Sequence, residues 1–260
     1  MNTCALFTML LLAWNPMKSS SGVPLRHGST CIFLTPAGGD SDNLESLLYT
    51  NALSFDEALI GLSALQFFID EPDAFSDDIG VNSVYFITDS WNYEPSADAM
   101  TILTWIDDPG GSEDGIIVDA DILINDTDGR FSLNQDSTRL QRVLIHEMGH
   151  AAGLDHPCRL LGTEDSSLPF CTDTGLDEII TRSIMYPFSG VENLIPNNDD
   201  ISGFATLYPM NSDFACERYE PPGDEGCSCS SLNLNGKHNP WVLAFFTVCL
   251  IFIRKKYRLP

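Results

Sequence analysis

Eleven residues constrain this chain of 260 more than any others: His146-Glu147-Met148-Gly149-His150-Ala151-Ala152-Gly153-Leu154-Asp155-His156, or H-E-x-x-H-x-x-G-x-x-H. On a helix, side chains four apart share one face, so His146 and His150 can grip a single ion together. Glu147 sits one step round, within reach of a water at that ion but outside its coordination shell. Gly153 lets the chain turn sharply out of the helix, because glycine enters left-handed backbone space cheaply. The turn brings back His156 as a third ligand. Three protein nitrogens leave a fourth position open, which distinguishes a catalytic zinc site from a closed structural one. At average composition, H-E-x-x-H alone arises by chance in roughly one in a hundred chains of this length, and the added glycine and histidine lower that to about one in a hundred thousand. A surface helix with two hydrated histidines is therefore set aside. Only His27 and His238 lie outside the cluster.

The segments around this motif read as an α+β domain with a twisted mixed sheet. Residues 81–88, 99–105 and 116–124 have strand composition, and residues 137–152 form the helix that carries the first two histidines. Apolar spacing at Phe55, Leu59, Leu62, Leu65 and Phe68 predicts another helix over residues 55–69, stopped by Pro72.

A net charge of −24 excludes nucleic acid as a partner, since phosphates need lysine and arginine. So much acid reads either as a solvated surface or as calcium binding through hard oxygen ligands. The acidic loops at residues 107–114 and 126–129 are the candidates for calcium, although neither has EF-hand spacing. Eight cysteines fit an oxidising compartment. Cys158 and Cys171 bracket an insertion after His156 and are expected to pair; Cys31 with Cys216 is one of several further connectivities.

Downstream, Ser183-Ile184-Met185-Tyr186-Pro187 completes a pattern that resembles the metzincin metallopeptidases, with Met185 as the floor beneath the histidines and not a ligand. The likeness narrows to the matrixin-like branch, bacterial type. Astacin-like and serralysin-like members place a tyrosine two residues after the methionine, whereas Pro187 stands there and Tyr186 follows Met185 directly. Residues 199–209 look like the closing matrixin helix, and residues 116–125 like the strand before the active-site helix. The resemblance covers roughly residues 30–209.

It implies a metzincin-type catalytic domain in which residues 99–105 form the edge strand above the cleft. A protein or peptide substrate would add there as a further strand, along Thr101, Ile102 and Leu103, with Pro187 and Ser189 walling the pocket beside zinc. Ser189 stands where matrixins often have tyrosine, and Pro157 where they have serine, so the pocket is expected to differ. The insertion over residues 157–181 is long for the family and could lid the cleft partly. A second, structural zinc is not expected, because Asp119 and Asp121 occupy the place of its histidines. The cysteine-switch sequence that keeps matrixins latent is absent.

At the ends, residues 1–21 read as a signal peptide with an apolar run from Cys4 to Trp14 and small residues Ser19-Ser20-Ser21 for cleavage. The domain would follow at 22–209 and a cysteine-containing linker at 210–239. Residues 240–260 hold an apolar segment (241–253) and a basic tail. Thirteen apolar residues span about 20 Å as a helix, short of the roughly 30 Å hydrocarbon core, though flanking tryptophan, lysine and arginine can extend the reach. The arrangement resembles bacterial sorting tails of the Myxo-CTERM or JDVT-CTERM type, which implies a processing peptidase acting near a cysteine, with Cys227 as the processing or lipid-attachment residue and Cys229 as its alternative; a simple membrane anchor is the other reading. The expected protein is an exported, monomeric, zinc-dependent endopeptidase of the cell envelope, surface-anchored or released after tail processing. A non-catalytic surface binding protein on the same scaffold is the rival, disfavoured by an intact Glu147.

Overall fold

The computed structural model describes residues 14–38, 41–76, 78–129, 131, 137–160, 167–188, 193–211 and 216–218. It is a mixed α/β fold on a six-stranded sheet, mostly parallel, with few helices. Strands β2 (Arg26–His27), β3 (Cys31–Ala37), β4 (Gln66–Ile69), β5 (Asn82–Ile87) and β7 (Ile116–Asn125) run parallel, in the order β2-β7-β5-β3-β4. Strand β6 (Ala99–Trp105) alone is antiparallel, and it pairs with β7. Because Ile117 faces both His27 and Trp105, and Ile122 both Val84 and Thr101, β6 lies on the opposite side of β7 from β2 and β5. Among the described residues no strand pairs with its outer edge. Between the stretches of β7 held by β2 and β5, Asn82 substitutes for a strand: its amide donates to Phe33 O and its carbonyl accepts from Ala120 N, each at 2.8 Å.

Helices α1 (Ser41–Leu59), α2 (Ser137–Ala151) and α4 (Asn198–Leu207) bury one apolar stripe each into a common core, while the single-turn α3 (Glu178–Thr181) packs in a second, smaller cluster. In α1 the stripe is Leu44, Leu48, Ala52, Phe55 and Leu59, spaced three or four apart. The sheet answers with alternate residues, Ile32 and Leu34 on β3 and Ala120, Ile122 and Ile124 on β7. Phe55 joins three elements, packing on Phe67 of β4 at 4.7 Å and edge-on to Phe204 of α4 at 5.4 Å.

The helix expected over residues 55–69 is displaced. The helix occupies residues 41–59, and residues 66–69 form β4 beside β3. Gly61, at φ +70°, ends the helix in left-handed backbone, with Leu62 N and Ser63 N both closing onto Leu59 O. Beyond it the apolar period changes to two, with Leu65 and Phe67 buried and Gln66 and Phe68 exposed. The spacing from Leu59 to Phe68 mimicked a helix across this break. Expected strands over 81–88, 99–105 and 116–124 and the helix over 137–152 appear at Asn82–Ile87, Ala99–Trp105, Ile116–Asn125 and Ser137–Ala151.

Both ends of the described chain are fastened. Trp14 N donates to the buried Asp199 carboxylate at 2.9 Å, and β1 (Asn15–Pro16) pairs antiparallel with β8 (Leu154–Asp155). Ser20 and Ser21 then hydrogen-bond Asp107 and Asp114. Cleavage at Ser19-Ser20-Ser21 would carry β1 away. At the other end Cys216 bonds Cys31 across 185 positions, and Arg218 pairs with Asp70 and stacks over Phe33 at 4.1 Å. Two disulfides, this one and Cys158–Cys171, suit an oxidising environment. No helix among the described residues is long and apolar enough to cross a membrane; residues 1–13, the tail from 219 and Cys227 lie outside them. Replacing Cys31 and Cys216 together by alanine should lower unfolding free energy by about 4 kcal/mol in urea titrations.

Candidate metal centre

Helix α2 sets His146 and His150 one turn apart, and each ring is held from behind. Nδ1 of His146 meets Ile184 O and Nδ1 of His150 meets Leu154 O, both at 2.7 Å. A ring nitrogen facing a carbonyl carries the hydrogen, so the opposite nitrogen presents its lone pair. The Nε2 atoms of His146, His150 and His156 converge at mutual distances of 3.1, 3.2 and 3.3 Å. Tetrahedral zinc with bonds of about 2.0–2.1 Å separates its nitrogens by about 3.3–3.4 Å, so the triangle fits. Converging lone pairs repel unless a cation lies between them. Burial first, then the neighbouring His150, His156 and Arg142, hold His146 well below the usual imidazole range. Burial and His150 lower His156 to about 3. Uncharged rings at neutral pH are what a metal needs. These three histidines are the one group of three or more His, Cys, Asp or Glu side chains among the described residues with converging ligand atoms.

Glycine at 153 is fixed twice over. Its φ is +94°, and a Cβ there would stand 2.3 Å from Leu25 O. The tight turn places Leu154 O behind His150, and the loop onward to His156 is strapped by β1, with Met17 N donating to Gly153 O at 2.9 Å.

Glu147 is buried beside the triad, and burial raises its carboxyl above the usual range. Opposing this are His150, the Thr101 hydroxyl and Arg142. Thr101 Oγ1 lies 2.7 Å from Glu147 Oε2 and 3.1 Å from Glu147 O. Of the other expected edge-strand residues, Ile102 is half-buried on β6 opposite Asp121. Leu103 turns its side chain into the core.

Met185 is buried under the centre, and its sulfur reaches the helix backbone at Gly149, where a Cβ would lie 2.2 Å from Sδ. The turn that carries it is braced by the buried Asp200, which accepts from Ser183 Oγ and, at 3.0 Å, from Ile184 N. Asp200 also closes a capping box with Asn197 at the start of α4. Arg142, one helical turn before His146, donates to Tyr186 O at 3.0 Å. Pro187 follows half-buried, and Ser189 lies outside the described residues.

The expected Cys158–Cys171 bond forms. With Ile180 it makes a second small core against which Leu160, Leu176, Ile179 and Tyr186 pack. Tyr186 Oη donates to Cys171 O at 3.0 Å, and Arg159 stacks on Phe170 at 3.7 Å. The insertion thus borders the turn after Met185. The acidic loops spend carboxylate oxygens on protein donors: Asp107 on Ser20, Asp114 on Ser21 and Asp108 N, and Asp126 on Phe131 N. Asp119 and Asp121 take Gly80 N and Ser83 N, and burial, then Asp121, raise Asp119 to about 7.

Sequence reasoning missed Gly149, Arg142, Asp200 and the Thr101–Glu147 bond. Gly149 could have been flagged as a helix-interior glycine with no turn to explain it, and Arg142 as a charge four residues before His146. Nothing in the sequence pairs Thr101 with Glu147, 46 positions away. Gly153→Ala should cost about 3 kcal/mol in thermal unfolding and weaken metal uptake in chelator competition. Asp200→Ala, which strands the buried donors of Ser183, Ile184 and Asn197, should cost at least about 3 kcal/mol by the same unfolding measurement. Neither a protein-family model nor a curated protein matches this chain.

Proposed function

We propose that the chain is an exported zinc-dependent endopeptidase of the matrixin-like metzincin type. The observation that carries the reading is the triangle of Nε2 atoms with a buried carboxylate at its side, beneath the outer edge of β6. His146, His150 and His156 would hold the ion, and Met185 would be the floor.

Bound zinc supplies Lewis acidity, polarising the scissile carbonyl and easing loss of a proton from water. Glu147 accepts that proton as the water oxygen bonds to the carbonyl carbon, then delivers it to the departing amine nitrogen as the C–N bond breaks. Its raised proton affinity suits both steps, because a base that must also serve as an acid works best when its pKa approaches the ambient pH. The outer edge of β6 offers main-chain groups to an extended peptide with little demand on its sequence. Selectivity would come from the segment after Met185, where Tyr186 is held against the disulfide-pinned insertion and Pro187 follows.

The two disulfides and the apolar N-terminal run support export; surface attachment, and processing near Cys227, are the reading of the C-terminal segment. In a broad quenched-peptide library, the zinc-loaded protein should cleave a subset of sequences. Glu147→Ala should keep one zinc and lose at least on the order of 100-fold in kcat/KM, whereas His150→Ala should lose zinc and activity together. Stoichiometric zinc with no cleavage in the wild type would overturn the enzyme and favour a binding role.

A further inference from the structure

We infer that Thr101 is a positioning residue for the Glu147 carboxylate, so that the strand offered to the substrate also aims the general base. This rests on the peptidase reading above. Glutamate has three side-chain torsions, and burial alone does not choose among their wells. Thr101 supplies the missing constraint. Being β-branched, it is stiff at χ1, and its backbone is paired opposite Ile122 within the sheet. Its hydroxyl stands 2.7 Å from Oε2, the length of a hydrogen bond to a charged oxygen.

The hydroxyl has a second acceptor, the main-chain oxygen of the same Glu147, at 3.1 Å. One hydrogen cannot serve both fully, and the carboxylate is the stronger acceptor. The two contacts nonetheless fix the hydroxyl relative to both ends of one residue, backbone and carboxylate. The other oxygen, Oε1, takes no hydrogen bond from a described residue, which leaves it for the proton transfer. Thr101 thus divides the two carboxylate oxygens between an orienting and a reacting role. Its hydroxyl is committed to Glu147, so it acts on the proton transfer only through that residue.

A merely structural threonine would be replaced without loss by valine, which keeps the branched shape that suits a strand. Thr101→Val and Thr101→Ser are therefore compared in the zinc-loaded full chain, with zinc content as a control. The positioning role requires kcat of the valine variant to fall by tenfold to a hundredfold, on the order expected for one hydrogen bond to a charged group, with KM little changed. The serine variant should recover most of the rate.

A second measurement needs no turnover. Acetohydroxamate chelates the metal and shares its acidic hydrogen with a neighbouring carboxylate, so its affinity for the cobalt-substituted protein, followed by absorbance, reports the aim of Glu147. The valine variant should bind it about tenfold more weakly and the serine variant close to the wild type. Wild-type kcat and wild-type hydroxamate affinity in Thr101→Val would overturn the inference. If the wild type cleaves no peptide, the peptidase reading falls, and the hydroxamate comparison still decides the role of Thr101.

Discussion

Everything at the centre depends on two main-chain carbonyls. Ile184 O and Leu154 O hold the back nitrogens of His146 and His150 and thereby turn their front nitrogens toward each other. A helix alone would bring the two rings to one face without choosing which nitrogen looks inward. The carbonyls make that choice, and they come from two different excursions of the chain: the turn after Gly153 and the turn that carries Met185. Each is held by something further out.

The outer supports are carboxylates at the start of α4. Asp199 takes the backbone of Trp14, and Asp200 takes the turn of Ser183 and Ile184. Both are almost fully enclosed, and Asp200 spends its lone pairs on donors that would otherwise be orphaned, which is the condition under which a buried charge is tolerated. Burial lifts Asp200 to about 6, against the pull of Ser183, Asn197 and Ile184. The adjacent acids therefore fasten the two sides of the centre, one through the strap that ends in β1 and the other through the methionine turn. Arg142 adds a third tie from the helix itself to Tyr186.

How much of this could be read from the chain follows from the range of the interactions. The histidine motif was legible because helix geometry and a glycine turn are local, and so were the three strands whose composition is unmixed. The helix over 41–59 was misplaced because the apolar period of its second half runs on across Gly61 into a strand of similar composition. The strand over 99–105 was located correctly, whereas the turning of the Leu103 side chain into the core was not visible in the sequence. Asp200 was visible only as part of a helix start, since the site it serves lies in another turn. Thr101 and Glu147 meet across the fold, and no spacing rule reaches that far.

Contacts of such span bear on the order of events at synthesis. The residues that complete the centre are spread from Trp14 to Asp200, and the covalent tie of Cys31 waits for Cys216. A chain emerging from its N-terminus has the three histidines before it has the acid that steadies Ile184. Sheets built from distant parallel strands also pair slowly, because the loop must close before the contacts reward it. The three histidines therefore lack their full set of supports until α4 has been made.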